Sequence, residues 1–454
     1  MNAPDPLPRT ARIDEGYFHA IAEALDDLLA PGEFYTAWLR AETSDFVRLN
    51  RGKVRQPGSV SQCYLDIDLV QGTRHAVHHL ALSGDLATDG AAIGAALTEL
   101  RAVVPLLAKD PHLLHATEVR TTRAVRGSAS PPAEQVIEAV LEAARGADLV
   151  GIYAAGPIAR GFANAFGQRN WHEVHAFNLQ WSLYHRADKA IQCAYSGLQW
   201  DDSILQARMA DAHAQLGIVA MPARALEPGA YRAFLAPAAM EELAGILRWG
   251  GFSGRDLATR QSSLARMQGP EGVRLDPRVH IAESIAQGIA PAFQAAGFIR
   301  PDVVPLIDGG RLVGALTSPR TAREFGGTTN GANAEEMPEA FTMSGGDLAS
   351  ADALGALDSG LYIGNLWYLN YSDRPACRIT GMTRFATFLV ERGRIVAPVD
   401  VLRFDDTFLR MFGPNLEALT RETELRLEPH TYGERMLTSV RVPGALLSEL
   451  TFTL

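Results

Sequence analysis

Residues Leu361–Phe408 read LYIGNLWYLNYSDRPACRITGMTRFATFLVERGRIVAPVDVLRFDDTF. Leu361, Ile363, Asn365, Trp367 and Leu369 alternate with their neighbours through a run of aromatic and aliphatic residues, the pattern of a half-buried strand. Asp373, Pro375 and Gly381 then punctuate the chain. A second apolar run, Phe385 to Val390, ends at Glu391-Arg392-Gly393-Arg394, a tight polar turn holding a glycine. Ile395, Val396, Val399, Val401 and Leu402 carry the chain away in a third run. Strands joined by such short turns predict an antiparallel meander.

The order of these features is distinctive. An aromatic strand is followed by Ile379-Thr380-Gly381, Arg384-Phe385-Ala386, a hydrophobic run, Glu391-Arg392-Gly393 and Ala397-Pro398-Val399. Upstream stand Leu316-Thr317-Ser318, Thr321-Ala322-Arg323-Glu324-Phe325-Gly326, Thr329-Asn330-Gly331-Ala332-Asn333, and a spacer with Pro338 and Ser344-Gly345-Gly346. Together they resemble the C-terminal signature of the TldD/PmbA (TldE) family of metallopeptidase-related proteins. The resemblance is specific from about Leu306 to Phe408 and extends over most of the chain as element order. Asp45-Phe46-Val47-Arg48 with Gly52-Lys53-Val54 resembles the family's first hairpin.

A chain of 454 residues exceeds one ordinary core, so two domains are expected. Its 47% hydrophobic and 21% charged residues suit a globular enzyme-like chain. The net charge of −10 argues against a nucleic-acid partner, since no basic stripe is available to neutralise phosphates, and lends no support to the family's association with DNA gyrase. Cys63, Cys193 and Cys377 lie far apart, which implies a reducing compartment and excludes a Cys-X-X-Cys metal site. The N-terminus lacks the apolar segment of a signal peptide. No uncharged apolar run approaches the ~18 residues that span a bilayer. A cytoplasmic protein without a membrane partner is expected.

Working outward, residues 1–12 are proline-rich and expected to fray. Tyr17–Leu29 is an amphipathic helix stopped by Pro31-Gly32. Phe34–Leu80 reads as strands, with a hairpin turn at Asn50-Arg51-Gly52. Asp85–Leu107 and Pro131–Ala144 read as helices. Two hairpins are expected next: Leu149–Ala154 with Gly161–Phe166, and Glu173–His185 with Lys189–Tyr195 across Arg186-Ala187-Asp188. Pro222–Gly229 is the best linker. Tyr231–Pro237 reads as a strand and Ala238–Trp249 as a helix ended by Gly250-Gly251. The remainder is mostly β. The fold class is therefore α+β: an N-terminal domain (13–225) of antiparallel sheet with helices on one face, then a β-rich TldD/PmbA-type domain (226–454).

The resemblance implies chemistry that this chain lacks. In the catalytic TldD branch, the helix corresponding to Ala236–Gly254 carries His-Glu-x-x-x-His, whose histidines hold zinc and whose glutamate is the general base. The matching positions here are Gly245, Ile246 and Gly250. None can ligate zinc or move a proton. The family's late cysteine ligand has no counterpart, because Cys377 is the last cysteine. The departure places the chain with the TldE/PmbA branch.

Substitute sites are weak. No HExxH occurs. Trp171-His172-Glu173-Val174-His175 reads as a strand, where residues three apart face opposite ways. His75 and His79 fall on one strand face and His78 on the other, with no carboxylate expected nearby. His280 is expected near a helix start and His430 in a turn. No G-x-S-x-G occurs, and Ser253 reads as a helix cap. Neither Asn330-Gly331-Ala332-Asn333 nor Ser344-Gly345-Gly346 carries a P-loop lysine.

The reading ranked first is a noncatalytic TldE/PmbA-like subunit. It binds no metal or other cofactor itself and has no catalytic residue. It pairs with a TldD-like subunit that carries zinc, and helps enclose small or unfolded peptides. Asn365, Thr380, Gly381 and Arg384 are the candidate peptide-binding residues, through strand addition at a sheet edge. For Thr380-Gly381 the plainer alternative is a turn that sets the hairpin. Two alternatives stand behind the first reading: a self-sufficient metallopeptidase with a site relocated to His172, His175 or His430, and a homodimeric peptide-binding protein without catalysis.

Overall fold

The computed structural model describes residues 13–128, 130–186 and 189–453. The expected fraying of residues 1–12 and the turn at Ala187-Asp188 fall outside these. In chain order the first half contains α1 (Glu15–Leu28), β1 (Glu33–Asn50), β2 (Lys53–Gln71), β3 (Arg74–Ala81), α2 (Leu86–Val103), β4 (Thr122–Arg126), α3 (Ala133–Ala143), β5 (Asp148–Asn164), β6 (Arg169–Arg186), β7 (Lys189–Gly197) and α4 (Asp202–Val219). The second half contains β8 (Gly229–Leu235), α5 (Pro237–Arg248), α6 (Gly254–Ala258), β9 (Ile281–Ser284), β10 (Val303–Asp308), β11 (Arg311–Leu312), α7 (Pro319–Phe325), β12 (Ala340–Met343), α8 (Ala353–Leu357), β13 (Gly360–Asp373), β14 (Arg378–Glu391), β15 (Arg394–Pro398), β16 (Arg403–Thr407), α9 (Phe408–Met411), β17 (Leu416–Leu427) and β18 (Ser439–Phe452).

The first half builds a sheet in the order β3-β2-β1-β5-β6-β4, with β7 also paired to β6. It is antiparallel except for β4 on β6. Strand alternation sorts its two faces. Tyr35, Leu39, Leu49, Leu149, Tyr153, Phe177 and Trp181 point to one side, where α1, α2, α3 and α4 bury Phe18, Leu97, Val140 and Met209. All four helices therefore share one face, the α+β layering expected. On the other face Ile158, Val174 and Ala176 pack on Ile289, Leu427 and Leu437 of the second half. Arg435 ties the halves together, donating to the Ala176 carbonyl at 2.7 Å, to Ser44 at 3.1 Å and to the Gly156 carbonyl at 3.1 Å.

The second half forms a mixed sheet whose path is β11-β10-β9-β12-β18-β16-β14-β13-β8, with β15 on β14 and β17 on β18. The meander is present as β13, β14 and β15.

Three expectations need correction. Leu149–Ala154 and Gly161–Phe166 do not pair with each other; the first segment and residues 161–164 of the second belong to the single strand β5, which lies between β1 and β6. The strand runs straight through Gly156-Pro157, which stay in register with β6, while the β1 ladder is interrupted opposite them, between Glu42↔Ile158 and Asp45↔Ala155. The β13–β14 reversal falls at residues 374–377, and Thr380-Gly381 lies inside β14. His280 precedes strand β9 rather than a helix.

Candidate functional site

Helix α5 starts with Pro237 at its first position, where no backbone N–H is needed, and buries Met240, Leu243, Ala244 and Leu247 against the sheet. The positions that would carry the zinc helix's side chains have three unlike surroundings. Gly245 faces open space. Ile246 is a core residue, and its carbonyl accepts from the Tyr371 hydroxyl of β13 at 2.9 Å. Gly250 lies past the helix end at φ +74°, and a Cβ there would run into the guanidinium of Arg374 and the carboxylate of Asp256. Arg374 caps this end, donating to the Trp249 carbonyl at 3.0 Å and to that of Gln261 at 3.1 Å. Cys377 is buried, which pushes its thiol up to about 12. Among the described residues no group of three His, Cys, Asp or Glu side chains is placed to hold a metal ion. At positions 245, 246 and 250 the residues present do not fit zinc, because none has a side-chain donor.

The sequence-derived candidates divide into two pairs. Asn365 and Arg384 are direct cross-strand partners. Two irregularities shape their surroundings. Ile363 faces Thr387 while Asn365 faces Arg384, so β14 holds an extra residue there, and Phe385 sits at φ +56°. Trp367 faces Met382 while Asn370 faces Thr380, so β13 holds the extra residue, and Tyr368 sits at φ +57°. These bulges turn the rings outward: Trp367 is 46% and Tyr368 77% exposed. The Arg384 guanidinium covers the Trp367 ring at 4.1 Å and the Phe385 ring at 5.0 Å. Beyond Ile363, where pairing with β8 stops, β13 is paired on its β14 side.

Beside this edge lies a cavity of about 370 Å³ lined by Asn365, Trp367, Arg384, Glu241 and Arg426. An ion network forms part of its lining. Glu424 accepts from Arg208 at 2.8 Å and from Arg426 at 2.9 Å, and Arg426 also pairs with Glu241. Burial alone would raise the Glu424 carboxyl, but Arg426 and Arg208 hold it below its ordinary value. Gln180 and Gln192 border both this cavity and a groove of about 930 Å³ over the first sheet.

Thr380 and Gly381 are not part of that lining. The Thr380 hydroxyl donates to the Phe404 carbonyl at 3.1 Å and accepts from Arg403 at 3.2 Å. Gly381 packs under Phe404 and Leu369. This pair joins β14 to β16.

The histidines occupy separate places. His172 is buried with Nε2 2.9 Å from the Ile289 carbonyl, and burial pushes its pKa down to about 4. His175 pairs with Glu173 at 2.9 Å, and exposed His430 with Glu428 at 2.5 Å. Carboxylates do lie near the β3 histidines, against expectation: His75 meets Asp68 at 3.0 Å, His79 meets Asp66 at 2.7 Å and His78 meets Glu99 at 3.2 Å. Their partners come from β2 and α2, beyond the reach of local sequence. Ser253 caps α6, accepting from the Asp256 N–H at 3.1 Å.

No helix among the described residues is long and apolar enough to cross a membrane. The sequence matches no curated protein. Its fold is similar to the crystal structure of TldE from Thermococcus kodakarensis, with TM-score 0.76 and 13% identity over 96% of this chain and 100% of that one. Two proteins described as candidate modulators of DNA gyrase are also similar. The one from Thermotoga maritima has TM-score 0.73 and 13% identity, covering 95% of this chain and 100% of its own. The one from Bacteroides thetaiotaomicron has TM-score 0.73 and 15% identity, covering 97% and 100%. Residues 228–454 match the family model described as the PmbA/TldA metallopeptidase C-terminal domain. The chain therefore belongs to the TldD/PmbA family of metallopeptidase-related proteins.

Proposed function

We propose that this chain is the TldE/PmbA-like, noncatalytic subunit of a zinc peptidase, and that a TldD-like partner carries the metal and the general base. One observation carries the reading: Gly245, Ile246 and Gly250 offer no donor atoms, and Arg374 fills the space at the third position. This chain contributes binding surface. An extended peptide adds to β13 alongside Asn365 and Trp367, its main chain meeting the strand's outward N–H and C=O groups. Arg384 over Trp367 supplies a flat, charged platform for peptide side chains and carbonyls. The groove bordered by Gln180 and Gln192 continues the path across the first sheet.

The test is a peptidase assay on unstructured peptides, with the purified chain alone and after mixing with a TldD-like chain from the same genome. The chain alone shows no cleavage, and the mixture cleaves faster than the TldD-like chain by itself. Cleavage by this chain alone, after chelator treatment and removal of the chelator, contradicts the proposal.

A further inference from the structure

The free edge of β13 has a closed end. β8 runs parallel to β13 as far as Leu235 opposite Ile363, the Ala236 N–H donates to the Ile363 carbonyl at 3.0 Å, and Pro237 then turns the chain into α5. A peptide added to β13 beyond Ile363 lies in line with β8 and meets Ala236 and Pro237 end-on. It must bend away or stop there, and a chain terminus stops without a bend. The cavity of about 370 Å³ contains this point, because Ala236 and Pro237 line it together with Asn365 and Trp367.

The charges of the cavity select the terminus. Arg208 and Arg426 close a network with Glu241 and Glu424, two charges of each sign. Three charged residues of the lining remain: Arg384, Glu242 and Asp211. Arg384 covers the Trp367 ring, and Asp211 accepts from Gln215 of its own helix at 2.7 Å. Glu242 has no hydrogen-bond or ion-pair partner among the described residues. It is exposed, so a ligand can reach it. Neighbouring protein still keeps much of the water from its carboxyl. Burial and the adjacent Glu241 push it up to about 7, with Arg426 pulling the other way and Glu428 adding to the rise. The unmatched side chains are thus one cation against two carboxylates. The charge of about +0.5 at the uncapped start of α5 does not reverse this balance. An ammonium group is what the cavity lacks.

We infer that this cavity holds the free N-terminal ammonium of an extended peptide, with Glu242 as its acceptor and Asp211 adding attraction. The peptide lies on β13 with its N-terminus at the Ile363 end and runs parallel to the strand. The inference rests on the proposed strand addition at β13. A carboxylate accepting from an ammonium N–H makes a charge-assisted bond, which adds capture of a chain end to the main-chain pairing along the strand. A lysine side chain carries the same group, and the test separates the two sources.

The test is fluorescence anisotropy of the full chain with short unstructured peptides labelled at their C-terminus. Two are lysine-free, one with a free N-terminus and one N-acetylated; the third is N-acetylated and carries a single lysine at its second position. The free peptide binds about ten-fold more tightly than the acetylated one, and the lysine does not restore the loss. Glu242→Gln alters an exposed, unpaired side chain, so the variant folds as the parent does. It weakens the free peptide about ten-fold and leaves the acetylated peptide unchanged. Arg384→Ala weakens both alike. Equal binding of free and acetylated peptides, recovery by the lysine, or a free peptide indifferent to Glu242→Gln overturns the inference. Where Arg384→Ala still weakens the peptides, strand addition at β13 survives that failure. Absence of binding by every peptide, or affinities unmoved by Arg384→Ala, overturns strand addition and this inference with it.

Discussion

The guanidinium of Arg384 stacks 4.1 Å from the ring of Trp367, across a strand pair that is bulged on both sides of the contact. The stack is partly open to solvent and lies outside the buried core. Arg384→Ala and Trp367→Ala should leave the thermal midpoint within about 3 °C of the parent, as exposed substitutions usually do. Each should weaken binding of an extended peptide by about five-fold, the worth of a stacked cation of ~1 kcal/mol. Fluorescence anisotropy with a labelled unstructured peptide measures this. Unchanged affinity in both variants removes the platform from the account.

Restoring the family's residues should not restore the metal site. In a Gly245→His, Ile246→Glu, Gly250→His variant, the third side chain collides with Arg374 and Asp256, and the second places a carboxylate in the core. We expect a stability loss of at least about 3 kcal/mol from the buried charge. Plasma emission after dialysis against zinc should find well under one ion per chain.

Glu336 sets a pH dependence. Burial alone would raise its carboxyl. The Arg255 N–H at 2.9 Å, the Ser253 hydroxyl at 2.6 Å and the Ser318 N–H at 2.7 Å outweigh this and hold it below its ordinary value. A depressed folded value stabilises the protein fully above the unfolded carboxylate value of about 4.3, and the contribution is lost as pH falls through the folded value. Glu336→Gln should therefore cost about 2 kcal/mol near neutrality. The difference from the parent should shrink in acid, as read by urea midpoints at two pH values.

Gly381→Ala separates packing from binding. Its Cβ would lie 2.7 Å from the Phe404 ring and 3.0 Å from Leu369. Overpacking should cost about 1–3 kcal/mol in chemical denaturation. Peptide affinity measured on the folded fraction should not change, because Gly381 is outside the Asn365–Arg384 cavity.

The meander and the helix at residues 237–248 were legible because their alternation and glycine stops are local. Helix α4 was not: it buries Leu205, Met209, Ala212 and Val219 in a thin stripe among small and polar residues, too faint a periodicity to stand out. The course of β5 through Gly156-Pro157 follows its unbroken pairing with β6, which no local pattern reveals. At the candidate site, Asn365 and Arg384 come together because they are cross-strand partners. Thr380 and Gly381, a few residues further along, were drawn away by the second bulge and by pairing with β16. The carboxylates facing His75 and His79 come from an adjacent strand, a relationship set by register rather than by sequence spacing.

Native mass spectrometry of the complex purified from its own cells, with metal content determined on the same sample, tests the central claim most directly. The account predicts one copy of this chain with one TldD-like chain, and zinc that stays with the TldD-like chain when the two are separated. Zinc retained in stoichiometric amount by this chain after separation would contradict it.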